Sequence, residues 1–467
     1  MVATLRRHGS GGRPGRRGGR RFLAAAVAAL VLAGGTLLPV AASAAPEPGP
    51  GLEAAAMPPF YTPPEILPPG PPGTIVRDED ATSAGLHGTA RLVMYKSESI
   101  QGDEIPVTGL ILVPSTPPPP GGYPVVAWAH GTTGIADECA PSLDGPLSVW
   151  AANELLDRGY VVTATDYEGL GTPGRHPYIV GESEARGVID SVRAARALLG
   201  ESTVSPDYAV WGISQGGHAS MFALHIAESW APELNLTGVV AAAPPSQFDL
   251  VYQFLVTSPY RFYLMMVAAG INAAYGDVEA PLPEVLNAAG IVKIGLVDEG
   301  CGDYLYEQAS GIEVNSLMVQ QADGTYNPVS NPIWGPLIRA QDPSGFKSGA
   351  SAPLLIVHGG ADEQIPTVSS EMLAGQLCSV GQGLERWVYP DQSHAGVLWP
   401  SEADTLEWLD NRFAGVAAPD PMYPTGQADV QASVCVAGKM ATRTSPAQTP
   451  PAATPATPAA ATPSFTG

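Results

Sequence analysis

The pentapeptide Gly212-Ile213-Ser214-Gln215-Gly216 constrains this chain more than any other stretch, because it directly follows the apolar run Tyr208-Ala209-Val210-Trp211 and precedes a helix-like segment expected from Gly217. A G-x-S-x-G between a strand and a helix is a tight turn that forces its serine into a strained backbone conformation. Glycine on each side lets strand and helix approach closely enough to hold it there. Such a turn presents the Ser214 hydroxyl at the carboxyl edge of a sheet and marks it as a nucleophile.

The rest of the chain supplies that sheet. From about Thr74 to Phe413, short β-branched runs (Val107–Val113, Val125–Trp128, Tyr160–Ala164, Ala209–Trp211, Gly238–Ala242, Leu354–Val357, Arg386–Tyr389) alternate with longer amphipathic ones. The latter, Val149–Arg158, Glu182–Leu199, Gly217–Ser229, Val368–Leu377 and Glu402–Arg412, carry helical spacing. This alternation predicts an α/β fold with a mostly parallel central sheet covered by helices on both faces. One interval breaks it: between Pro244-Pro245 and Pro353 lie aromatic and aliphatic clusters (Phe248, Phe254, Phe262, Met265, Met266, Ile294) too apolar for a loop. This interval is expected to be a mainly helical cap inserted after the sixth core strand. The predicted organisation is therefore a core over 74–245 and 351–440 with a cap over 246–350.

The two ends read differently. Residues 1–21 hold seven arginines and no acid, and an apolar stretch from Phe22 to Val40 runs into Ala41-Ala42-Ser43-Ala44-Ala45. That is the pattern of a secretory signal peptide, with cleavage expected after Ala44. Arg20-Arg21-Phe22-Leu23 adds a weak twin-arginine signal. Residues 45–73, rich in proline and glycine, are expected to run as an extended surface arm. Residues 441–467, dominated by proline, alanine and threonine, are expected to be a disordered spacer, of a kind that crosses a cell-wall layer. Losing the seven arginines takes the formal charge from −22 to −29. So acidic a body repels nucleic acid and anionic membrane surfaces.

A serine hydroxyl needs a base to take its proton and a carboxylate to orient that base. Leu354-Leu355-Ile356-Val357-His358-Gly359-Gly360-Ala361-Asp362 reads as a buried strand emptying into a turn, which places Asp362 at the sheet's carboxyl edge. Glu363 and Asp391 are its local rivals. His394 lies after the next strand, in the loop Pro390-Asp391-Gln392-Ser393-His394-Ala395-Gly396, where an α/β-hydrolase carries its base. The order Ser214, Asp362, His394 matches that fold. Of the other histidines, His130 and His358 end strands beside glycine and are expected to brace loops, His176 sits in a proline-flanked loop within reach of the pocket, and His218 and His225 fall on the helix after the turn. Two backbone N–H groups should receive the oxyanion: that of Gln215, and one from His130-Gly131-Thr132-Thr133-Gly134, with Thr132 preferred over Gly131.

Four cysteines stand far apart with no C-x-x-C pair and no histidines at ligand spacing, so no metal site is expected; in an exported chain the even count favours two disulfides.

His130-Gly131-Thr132, Asp166-Tyr167-Glu168-Gly169-Leu170-Gly171, Gly212 to Gly217, the acid of His358-Gly359-Gly360-Ala361-Asp362 and Ser393-His394 together resemble the secretory lipase family of α/β-hydrolases, the fungal lipase A type, over roughly Pro58 to Cys435. The resemblance implies an exported enzyme that hydrolyses carboxylic esters, triacylglycerols included, as part of lipid breakdown. It implies neither metal nor cofactor, and a cap over an acyl-binding tunnel. It also implies the pairings Cys139–Cys301 and Cys378–Cys435. Some relatives carry aspartate where Thr132 stands. The expected partner is a lipid or other ester, with transient contact between cap and lipid surface, no membrane span after leader cleavage and a monomeric state. A peptidase or acyltransferase on the same fold is the alternative, and ester against peptide substrates separates them.

Overall fold

In a computed structural model, residues 57–418, Pro424 and 429–443 are described. The leader, the first part of the arm and the tail from 444 onward lie outside the described residues.

The apolar runs pair into one sheet. Its strands are β1 (Ile75–Asp80), β2 (Gly88–Glu98), β3 (Glu104–Pro114), β4 (Tyr123–Ala129), β5 (Val161–Thr165), β6 (Val204–Ile213), β7 (Asn235–Ala242), β8 (Leu354–Gly359), β9 (Leu384–Tyr389), β10 (Gln431–Val436) and β11 (Lys439–Arg443). Their spatial order is β1-β2-β3-β5-β4-β6-β7-β8-β9-β10-β11. From β5 to β9 the pairing is parallel. Those central strands are buried on both faces, which is why they read as continuous apolar runs rather than alternating ones. Trp128 and Trp211, opposite each other on β4 and β6, meet edge to face with centroids 5.8 Å apart.

Parallel register brings the carboxyl ends into line. Ala129 stands beside Gly212, Ile213 beside Ala242, Ala242 beside Val357, and Gly359 beside Tyr389. Residues just past these ends are therefore neighbours in space, although they lie up to about 260 positions apart in the chain. Covering the sheet are helices α1 (Ala152–Asp157), α2 (Gly181–Leu199) and α3 (Gln215–Trp230). After β7 the chain forms α4 (Phe248–Leu255), α5 (Phe262–Glu279), α6 (Ala288–Lys293), α7 (Gly302–Gln308) and α8 (Trp334–Ala340), then returns to the sheet with α9 (Thr367–Ser379) and α10 (Leu398–Phe413).

Helices α4 to α8 carry their own apolar cluster, with Met266, Ile271, Val285 and Trp334 buried in it. The two ends of this inserted segment are tied together by Asp342, whose carboxylate accepts from the amides of Gln247 and Phe248 where α4 begins. A carboxylate there satisfies amides that lack helical partners and complements the positive end of the helix. Disulfides join Cys139 to Cys301, linking the loop after β4 to the inserted segment, and Cys378 to Cys435, linking α9 to β10.

Several boundaries differ from the sequence expectation, among them that helix α10 starts at Leu398 rather than Glu402 and α1 spans Ala152–Asp157 rather than Val149–Arg158. The arm is not wholly a surface strap: Phe60 and Tyr61 are buried, and the Tyr61 hydroxyl lies 2.7 Å from Ser142 Oγ, because two adjacent aromatics gain more from the core than from water. Residues 441–443 belong to β11 rather than to a spacer; β10 pairs antiparallel with β9 and covers a sheet edge that would otherwise be open. Helix α3 begins at Gln215, immediately after the serine, not at Gly217.

Candidate active site

Ser214 follows β6 with φ 57° and ψ −120°, a backbone conformation that a side chain disfavours. The flanking glycines show what maintains it. A Cβ on Gly212 would stand 2.2 Å from the Gly216 carbonyl oxygen, and one on Gly216 would stand 1.8 Å from the Ala129 oxygen. No other residue fits either place, so strand, turn and helix are locked together. Because α3 starts at Gln215, the first amides of the helix, Gln215 included, have no intrahelical partner.

The turn after β4 stands beside the serine: a Cβ on Gly131 would come within 3.7 Å of Ser214 Cβ. Thr132, next in that turn, shares a 2.7 Å hydrogen bond between its Oγ1 and the Tyr178 hydroxyl. His130 braces the turn as expected, with Nδ1 2.7 Å from the Gly131 carbonyl. Burial pushes its imidazole down to about 4, so it is neutral near pH 7.

Past β8 and β9, His394 Nδ1 donates to Asp362 Oδ2 at 2.7 Å, and both side chains are buried. Asp362 Oδ1 accepts from the amides of Gln364 and Ile365, each at 2.8 Å. Its Oδ2 also faces His358 Nε2 at 3.0 Å. Burial by itself would raise this carboxyl, but the hydrogen bonds from His358 and His394 outweigh it and hold the group well below the usual carboxylate range. Asp362 is thus a fixed anion against His394. Of its rivals, Glu363 takes the backbone N–H of His394 at 3.1 Å, which steadies the loop, and Asp391 is exposed.

Ser214 Oγ makes no hydrogen bond to His394, and His394 Nε2 is buried with no partner among the described residues. The structure therefore joins Asp362 to His394 and sets Ser214 in the strained turn, with the third contact open.

A narrow cavity of about 90 Å³ starts at Ser214 and Gln215 and runs under the inserted segment. Its walls are apolar, with Phe248 and Val251 from α4, Leu264 and Val267 from α5 and Ile338 from α8. His176 does not line it: that ring is wholly buried, between the Glu168 carbonyl and the Gln215 side chain. The partners of the Gln215 side chain, His176 and Glu184, and His218 beyond Glu184, were not visible as a set in the sequence. The one local signal is that Glu184 shares the buried stripe of α2 with Val188 and Val192, at i+4 and i+8.

A family model described as "Secretory lipase" matches residues 147–420, more than half of the chain. The chain belongs to the secretory lipase family. It is 25% identical over 359 residues to "Lipase A" of Moesziomyces aphidis, covering 72% of this chain and 75% of that one. To "Secreted triacylglycerol lipase LIP4" of Malassezia globosa it is 25% identical over 395 residues, 80% and 84% of the two chains. "Probable inactive lipase MT1628" of Mycobacterium tuberculosis is 23% identical over 376 residues, 76% and 82% of the two chains. Among solved structures, closed Candida antarctica lipase A superposes with a TM-score of 0.65 at 23% identity, over 79% of this chain and 88% of that one, which shows a shared α/β-hydrolase fold. This secretory lipase is accordingly a carboxylic ester hydrolase. Among its described residues no helix is long and apolar enough to cross a membrane.

Proposed function

We propose that the protein is an exported serine lipase or esterase that hydrolyses lipid esters, triacylglycerols included, through an acyl-enzyme on Ser214, and that it serves lipid breakdown. The observation that carries this reading is the strained Ser214 at the mouth of an apolar cavity, on the same sheet edge as a buried His394–Asp362 pair whose outer nitrogen is unpaired.

The residues divide the chemistry as follows. His394 Nε2 takes the Ser214 proton as Oγ bonds to the ester carbon. Asp362, already anionic, stabilises the imidazolium that results. The carbonyl oxygen, now an oxyanion, is received by the N–H groups of Gln215 and Thr132, which need no reorganisation to accept it. As the tetrahedral intermediate collapses, His394 gives its proton to the departing alcohol. Water then attacks the acyl-enzyme with His394 as base again, the acid leaves and Ser214 is restored. The inserted segment acts as a cap whose cavity holds the acyl chain; each buried methylene contributes about 0.8 kcal/mol, and the apolar walls favour alkyl chains over polar ones. Contact of the cap with a lipid surface, a monomeric state and export by the leader complete the reading.

The test is hydrolysis of p-nitrophenyl esters from acetate to palmitate by wild type and Ser214→Ala. The expected result is turnover in the wild type and a loss on the order of a million-fold in the variant. Folded wild type that turns over no ester, or a variant that keeps its activity, overturns the proposal.

A further inference from the structure

Glu184 on α2 is completely buried, and its carboxylate meets three groups. Oε1 accepts from Gln215 Nε2 at 3.0 Å and from the Ile179 amide at 3.0 Å. Oε2 lies 2.7 Å from His218 Nδ1, and His218 Nε2 donates to the Gln341 carbonyl, also at 2.7 Å. The Gln215 amide is held on a second side by His176: Nδ1 of that ring donates to the Glu168 carbonyl, which leaves Nε2 to accept from Gln215 Nε2 at 2.7 Å. Both protons of the Gln215 amide are therefore committed, and its Oε1 is left buried with no partner among the described residues.

The second branch runs through Ile179. A β-branched residue at φ 59° is a true backbone outlier, one that survives only where its surroundings over-determine it. The bond from Ile179 N to Glu184 is part of that determination. Next to it, Tyr178 carries the hydroxyl that holds Thr132 Oγ1. One carboxylate thus grips the residue that follows Ser214 and, through the strained Tyr178–Ile179 turn, the residue on the opposite side of the reacting carbonyl.

We infer that Glu184, balanced by His218, is a positioning residue that sets the two oxyanion donors in register; the inference rests on the acyl-enzyme reading above. A buried charge with a partner is poor evidence for stability, since apolar replacements often do as well. A carboxylate tied to the side chain of Gln215 and, through Ile179 and Tyr178, to that of Thr132 has a use beside two donor amides that stability alone does not supply.

The test measures kcat and KM for p-nitrophenyl butyrate together with inhibition by butylboronic acid, whose tetrahedral adduct on serine places an oxygen where the oxyanion forms. Competent sites are counted by titration with a p-nitrophenyl alkylphosphonate. In Glu184→Gln, kcat per titrated site is expected to fall at least tenfold with KM within twofold, and boronate affinity to fall in parallel with kcat/KM. Tyr178→Phe, which removes only the hydroxyl, is expected to lower both by about threefold or more. Values per titrated site within twofold of wild type, with any loss confined to the titratable fraction or to thermal stability, overturn the inference; so does a fall in kcat without a fall in boronate affinity. If Glu184→Gln does not fold, Tyr178→Phe and Gln215→Ala decide by the same criteria. A wild type without ester turnover would instead refute the proposed function.

Discussion

The backbone strain at Ser214 can be read as a stability difference between two variants that both lack its hydroxyl. At φ 57° and ψ −120° a residue with a Cβ is strained by about 1–3 kcal/mol. Ser214→Ala keeps the Cβ and hence the strain, whereas Ser214→Gly removes it. Glycine gives back about 0.5–1 kcal/mol through the freedom of its unfolded chain. The difference leaves Ser214→Gly more stable than Ser214→Ala by about 1 kcal/mol. Comparing the two variants cancels the lost hydroxyl. With an unfolding entropy of about 2.1 cal/mol/K per residue over some 360 residues, 1 kcal/mol moves Tm by only about 1.3 °C. Urea unfolding followed by tryptophan fluorescence is the better assay, read as the midpoint difference at constant slope. A Ser214→Gly protein no more stable than Ser214→Ala would refute the view that the fold holds a strained nucleophile.

Other outcomes follow from the same geometry. Asp362→Asn leaves His394 with a poorer partner and should lower kcat by about 10⁴-fold with little change in KM, measured on a soluble butyrate ester. Burial pushes the Asp166 carboxyl up to about 6, despite hydrogen bonds from Ser142 and Thr108. The folded state therefore keeps a proton that the unfolded chain gives up near pH ~4, so this group costs stability as pH rises from about 4 to about 6 and Asp166→Asn should flatten that part of the urea-midpoint profile. Cys301→Ser opens the Cys139–Cys301 link, which spans 162 residues, and should cost on the order of 2–5 kcal/mol in the same assay. Val251→Trp fills the cavity beside Ser214. If it denies room to two methylenes, kcat/KM for the octanoate ester should fall about fifteen-fold relative to acetate.

The parts of this molecule that sequence exposed are those set by local rules. Gly212 and Gly216 announce the turn because nothing larger fits between β4, β6 and α3. The central strands declare themselves because burial on both faces demands unbroken apolar runs. Sheet edges are less legible: β1 reads Ile-Val-Arg-Asp-Glu-Asp, none of it is fully buried and its last two residues are exposed, so pairing with β2 is stated only by the partner strand. The β10–β11 hairpin lies where composition already drifts toward the tail, and its reason for folding is the open side of β9. Glu184 was hidden for a different reason. Its partners Gln215 and His218 are 31 and 34 positions away, and only the packing of α2 against α3 brings them within 3.0 Å. His358 carried a partial signal, since a histidine beside glycine at a strand end was expected to brace a loop, and it does so through Asp362 and the Ile365 carbonyl.

The central claim, that Ser214 is the nucleophile of an ester hydrolase, is tested most directly by labelling with a p-nitrophenyl alkylphosphonate and locating the adduct by peptide mass spectrometry. The account predicts one phosphonyl group per chain on Ser214, with ester turnover lost in proportion to labelling and with slower labelling in His394→Ala. Turnover that survives full labelling, or an adduct on any residue other than Ser214, would contradict it.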